Sequence, residues 1–139
     1  MRASLLYRIA SVLLVLFAIG HTLGFRRTDP RWGVDALVSS LRAASFEVQG
    51  FRRSYWDFFV GFGLFVTVFL LFAAVLSWQL GGMTGETLSL IPAVTWGLAI
   101  CLLAITVLAW AYFFVAPGIF STLITLCLIA AAALSRRPG

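Results

Sequence analysis

Residues 58–78 read FFVGFGLFVTVFLLFAAVLSW, and this stretch decides the fold class. None of its 21 residues is charged, and most are large and apolar. As a helix it would extend about 32 Å at about 1.5 Å per residue, which matches the hydrocarbon core of a bilayer, about 30 Å thick. The stretch therefore predicts a membrane-spanning helix.

Three further apolar runs repeat this pattern within the chain of 139 residues. The composition agrees, because 62% of the residues are hydrophobic and only 11% are charged, whereas soluble domains are about one quarter charged. We expect one all-α transmembrane domain, an antiparallel four-helix bundle, over residues 1–139. The predicted spans lie near residues 5–25, 56–79, 90–112 and 117–135.

The first run has a second interpretation. Arg2 and Arg8 precede it, as the charged region of a cleaved signal peptide would. The run continues, however, to the paired Arg26 and Arg27, which favours a span that stops at these charges.

All ten basic residues are arginines, and eight of them flank the apolar runs. This placement predicts contact with anionic lipid head groups and argues against nucleic acid as a partner, despite the formal net charge of +5. Membrane lipids are the expected partners, with a membrane protein or a second copy of this chain as alternatives. Six arginines lie in the first loop against four near the termini, a difference too small to predict the orientation in the membrane.

The long polar segment between the first two spans carries a helical pattern. Its apolar residues recur at a spacing of three and four, with polar residues on the opposite side. This predicts a short amphipathic helix over residues 33–46 that lies in the membrane interface, or equally one that caps the bundle. The apolar positions are Val34, Leu37, Val38, Leu41 and Ala44.

The second span has two distinct faces. Five phenylalanines step by four, three, four and three residues, so their rings lie along one side. Gly63, Thr67 and Ala74 form a small-residue side that suits close approach by another helix. We expect the rings to face lipid or a ligand, and the small side to meet a neighbouring helix. The phenylalanines are Phe58, Phe62, Phe65, Phe69 and Phe72.

Polar side chains gather where the first span ends and the second begins, and antiparallel helices place these two ends at one membrane face. His21 is the single histidine and the side chain best suited to proton exchange at neutral pH. With Asp57 or Glu47 it is the candidate catalytic group, whereas a helix cap and a hydrogen-bonded scaffold are the structural alternatives. The candidate ligand-binding residues are Arg52, Arg53, Tyr55, Phe62 and Phe65.

Two segments resemble a known group of proteins. Gly20-His21-Thr22 and the run from Gln49 to Gly63, QGFRRSYWDFFVGFG, are similar to segments of small bacterial four-helix integral membrane proteins. The resemblance covers most of the chain and implies the same fold, in a bacterial inner (cytoplasmic) membrane. It implies no activity.

Two functions are therefore open. The first is a non-catalytic membrane component that binds a lipid, a lipophilic molecule or a partner subunit through the arginines and the phenylalanine-lined helix. The second is a small enzyme acting on a lipid or quinone-like substrate through His21 and Asp57. No cofactor and no metal site are predicted, because Cys101 and Cys127 lie singly in apolar runs. The first run lacks the embedded glutamate that small multidrug transporters need.

Overall fold

The computed structural model describes residues 2–135, so Arg136 and Arg137, two of the arginines that flank the apolar runs, lie outside the described residues. Six α-helices and a two-stranded hairpin make up the described chain. In chain order the elements are α1 (Arg2–Gly24), a 3-10 turn (Pro30–Trp32), α2 (Asp35–Ala43), β1 (Ser45–Val48), β2 (Phe51–Ser54), α3 (Tyr55–Leu80), α4 (Gly85–Leu90), α5 (Pro92–Tyr112) and α6 (Val115–Ser135).

The all-α class with four spans is confirmed. Four helices are long and apolar enough to cross a membrane, which makes the chain a multi-pass integral membrane protein. Pro92 occupies the first turn of α5, where its missing N–H costs no internal bond, and Pro117 likewise lies in the first turn of α6. The four spans are Ala3–Gly24, Tyr55–Leu80, Pro92–Tyr112 and Val115–Ser135.

The described residues divide into two compact units. Within the described residues, one unit contains residues 2–17 together with residues 70–135, and it holds segments of all four long helices. In it, serine hydroxyls tie α1 to α3: Ser11 Oγ donates to the Ala74 carbonyl over 2.7 Å, and Ser77 Oγ donates to the Tyr7 carbonyl over 2.8 Å. The residue with the higher number on α1 bonds to the residue with the lower number on α3, so α1 and α3 pack antiparallel.

The same unit joins α5 and α6. Thr106 and Thr125 share a hydrogen bond of 2.9 Å between their hydroxyls, which satisfies two buried polar groups at once. Phe17 of α1 stacks on Phe120 of α6 with ring centroids 5.7 Å apart. Small residues and hydroxyls thus hold this part of the bundle together, as they commonly do in membranes.

The second unit, Ala18–Phe69, contains the end of α1, the polar segment and the start of α3. The helix expected over residues 33–46 is shorter, because α2 ends at Ala43 and Ser45 begins a strand. β1 and β2 pair antiparallel around Gln49 and Gly50, whose φ angles of 52° and 80° are those of a two-residue hairpin turn. The sequence prediction did not include this hairpin.

Helix α2 contacts the first turn of α3. The Arg42 guanidinium carbon lies 4.5 Å from the centroid of the Trp56 ring, a cation–π contact. Val38 and Leu41 are half-buried, while Leu37 is 59% exposed. One flank of α2 therefore packs against protein and another remains available to the membrane interface.

The two sides predicted for α3 differ in exposure, and contact of the ring side with lipid or a ligand stays a prediction. Phe62 and Phe65 are 64% and 72% exposed, whereas Ala74 on the small-residue side is buried. Gly63 on that side receives the ring of Phe25: a Cβ placed on Gly63 would lie 2.3 Å from the nearest ring carbon. Glycine allows this close approach, because a side chain at position 63 would overlap the ring unless the ring moved.

Candidate functional site

A capping box fixes Asp57 at the start of α3. Its Oδ2 accepts hydrogen bonds from the backbone N–H of Ser54, over 2.8 Å, and from the Ser54 hydroxyl, over 3.0 Å. In return the Asp57 N–H donates to Ser54 Oγ over 3.2 Å. The two residues thus satisfy each other's free donors at the helix terminus. The cap expected of Asp57 is confirmed, with Ser54 as its partner.

The hairpin supplies Arg53 to the same region. Its Nη1 donates to the carbonyl of Arg52 over 2.8 Å, and its guanidinium carbon lies 5.3 Å from the centroid of the Phe51 ring. Because the strand ends one residue later and α3 begins, the side chain of Arg53 lies close to the first turns of that helix.

An open groove of about 280 Å³ lies beside the first turns of α3. Its apolar wall follows helical spacing, since residues 58, 61, 62 and 65 recur at intervals of three, one and three and so share one side of the helix. Its volume is just below the range of about 300–1,000 Å³ that is typical of small-molecule sites. The groove is lined by Arg53, Asp57, Phe58, Gly61, Phe62 and Phe65.

Three of the five predicted ligand-binding residues, Arg53, Phe62 and Phe65, therefore line one groove together with Asp57. Gly61 was not among the candidates, although it lies four residues after Asp57 and four before Phe65. A Cβ on Gly61 would meet nothing within 4 Å, so the glycine leaves open space between the rings.

His21 lies elsewhere, in the contact between α1 and α3. Its Nε2 is 3.0 Å from the carbonyl oxygen of Gly63, which only accepts, so Nε2 carries the hydrogen. The imidazole stacks on Phe25 with ring centroids 5.1 Å apart and planes 15° from parallel. One residue later, the hydroxyls of Thr22 and Thr67 share a hydrogen bond of 2.9 Å. His21 thus belongs to the packing of α1 on α3.

The structure does not bring His21 and Asp57 together. The carbonyl that holds His21 belongs to Gly63, six residues beyond Asp57, which is about 9 Å along the helix and about 120° around it. The carboxylate of Asp57 instead lines the groove with Arg53. Among the described residues, His21 and Asp57 share no direct hydrogen bond, whereas an acid–base pair needs hydrogen-bond reach or one bridging water.

The remaining candidates belong to the hairpin and its surroundings. Glu47 lies directly opposite Arg52 in the strand register, and Arg52 Nη2 donates to the Ser45 hydroxyl over 3.3 Å. Tyr55 packs on Phe46, with ring centroids 5.1 Å apart. None of these candidates is among the residues that line the groove.

Comparison with known proteins returned no family model, no curated protein and no solved structure that matches the chain. The groove beside α3 is therefore the basis for a functional proposal.

Proposed function

We propose that this chain is a non-catalytic integral membrane protein that binds a membrane lipid in the groove beside the start of α3. The observation that supports this most directly is that one groove combines the guanidinium of Arg53 with the exposed rings of Phe62 and Phe65. We further propose a bacterial inner membrane as its location, on the basis of the resemblance described for residues 49–63.

The chemistry of the groove suits an amphiphile. A guanidinium presents several N–H donors in a fixed fork that matches the oxygens of a phosphate. The phenylalanine rings below it offer an apolar surface for an acyl chain and contain no polar group that would require water. A lipid satisfies both requirements at once, with its head group at Arg53 and a chain along Phe62 and Phe65.

A lipid also fits the position of the groove better than a soluble ligand or a protein partner does. α3 is one of the four candidate spans, and Asp57 lies in its first turn. A helix of this length places its first turn near the polar head groups and its later residues in the hydrocarbon core. The order from charged to apolar along the groove is the order of groups in a phospholipid.

Native mass spectrometry of protein taken from phospholipid nanodiscs tests this proposal. Arg53→Gln should reduce the lipid-bound fraction about tenfold, because a charge-assisted contact to phosphate is lost. Arg31→Gln is the matched control, since Arg31 pairs with Asp29 outside the groove. Equal lipid retention by Arg53→Gln and Arg31→Gln would contradict the proposal.

A second pair of variants tests the apolar wall. Phe65 and Phe72 are both exposed on α3, at 72% and 63%, but only Phe65 lines the groove. Phe65→Ala should weaken lipid retention, and Phe72→Ala should leave it close to that of the unmodified protein. If both changes have the same effect, lipid contacts α3 without preference for the groove.

A further inference from the structure

The polar end of the groove carries both signs of charge. Arg53 and Asp57 line it together, four residues apart in the chain. Among the described side chains the salt bridge that forms within 4 Å is that of Arg31 with Asp29, so Arg53 and Asp57 interact through their charges without a direct ion pair. A ligand that fits this end of the groove should therefore carry an anionic and a cationic group side by side.

Arg53 and Asp57 can each form further hydrogen bonds. Both hydrogen bonds that described residues donate to the Asp57 side chain end on Oδ2, so Oδ1 faces no donor from this part of the chain. Arg53 uses Nη1 for the Arg52 carbonyl, and its Nε and Nη2 hydrogens remain for another acceptor. The capping box keeps the carboxylate in place while Oδ1 stays open.

Resting on the proposed function, we infer that the bound lipid is a zwitterionic aminophospholipid of the phosphatidylethanolamine class. Its phosphate accepts hydrogen bonds from Arg53, and its primary ammonium donates to Oδ1 of Asp57. Phosphate and ammonium are separated by two carbons in this head group, so one lipid can present both charges at one end of a small groove. The acyl chain then follows Phe62 and Phe65.

Asp57 is the residue that determines specificity in this arrangement. An anionic lipid such as phosphatidylglycerol offers a phosphate to Arg53 but no cation to Asp57. Its phosphate charge then adds to the negative charge of Asp57 without a cation to compensate it. Phosphatidylcholine brings a cation without N–H donors, so it cannot donate a hydrogen bond to Oδ1. The order of retention should be phosphatidylethanolamine first, then phosphatidylcholine, then phosphatidylglycerol.

Competition between lipids with identical acyl chains tests the inference. Full-length protein is placed in nanodiscs with equal amounts of phosphatidylethanolamine and phosphatidylglycerol, and the retained lipids are counted by native mass spectrometry. The unmodified protein should retain the first about fivefold over the second, as expected for an ion contact near the membrane surface. Asp57→Asn should bring the ratio close to one, and Asp35→Asn, a change on α2, should leave it unchanged.

The design separates loss of specificity from loss of folding. Asparagine keeps a side-chain oxygen for the Ser54 N–H, so circular dichroism of Asp57→Asn should show the unmodified helix content. Asp57→Glu keeps the charge and should restore the preference. Should Asp57→Asn fail to fold, Asp57→Glu and replacement of phosphatidylethanolamine by its N-methylated forms still test the inference, because retention must fall as N–H donors are removed.

The outcomes of this competition have different meanings. Retained lipid without preference for phosphatidylethanolamine would overturn the inference and leave the proposed lipid binding intact. A preference that survives in Asp57→Asn would also overturn it, because selection would then come from another part of the protein. Failure of the unmodified protein to retain any lipid would instead refute the proposed function.

Discussion

Replacing Gly63 by alanine tests how closely α1 and α3 pack near His21. The added Cβ would lie 2.3, 2.6 and 2.7 Å from three carbons of the Phe25 ring. These distances are far below van der Waals contact, so the ring must move. It is held between His21, at a centroid distance of 5.1 Å, and Phe59, at 5.9 Å. Moving the ring therefore disrupts two aromatic contacts.

The size of the effect follows from those contacts. Each aromatic pair contributes about 0.5–1.5 kcal/mol, so disrupting both costs about 1–3 kcal/mol. Alanine also favours a helix over glycine by about 1 kcal/mol, which opposes this loss. Gly61→Ala has the same helical gain, and its Cβ meets nothing within 4 Å. The difference between the two variants therefore isolates the clash, and Gly63→Ala should be less stable by about 1–3 kcal/mol.

Equilibrium unfolding by sodium dodecyl sulfate in mixed micelles, followed by circular dichroism, measures this difference. Gly63→Leu should be more destabilising than Phe69→Leu. Leucine at position 63 must displace the Phe25 ring, whereas Phe69 is half-buried on the ring side. If Gly63→Ala is as stable as Gly61→Ala, the ring of Phe25 does not pack on Gly63 and the reasoning is refuted.

Three smaller changes test other contacts. Thr67→Val should cost about 0.6 kcal/mol in the same unfolding assay, because the hydroxyl bond to Thr22 is lost; an unchanged midpoint would contradict that bond. Arg31 lowers the pKa of Asp29 by hydrogen bonding, so the contact is present at neutral pH and is lost as pH falls through this lowered pKa. The NMR chemical shift of the Arg31 backbone amide should accordingly change with a midpoint pH below 3.8, the ordinary pKa of an aspartate. A midpoint at or above 3.8 would exclude the contact. Trp110→Phe removes the Nε1 hydrogen bond between α5 and α6 and should cost less than about 1 kcal/mol, since Trp110 is 53% exposed; a larger loss of unfolding free energy would show that the ring packs more tightly than described.

The candidate site was only partly predictable from sequence. The spacing of the phenylalanines placed Phe62 and Phe65 on one side of α3, because a helix repeats about every 3.6 residues. The capping role of Asp57 was also readable, since it opens an apolar run. The hairpin that holds Arg53 was not predicted, because its turn is Gln49-Gly50, a weaker signal than the usual Asn-Gly.

The sequence by itself determined that the chain crosses a membrane four times, because each span is a local property. About twenty consecutive apolar residues make a helix as long as the hydrocarbon core, wherever the rest of the chain lies. Which side chains meet was decided only by tertiary structure. His21 and Asp57 lie close to the ends of consecutive spans, yet the rotation of each helix directs His21 to Gly63 and leaves Asp57 at the groove with Arg53. Apolar periodicity predicts a buried side but not which partner covers it, so the contacts among these side chains depend on the packing of α1 and α3.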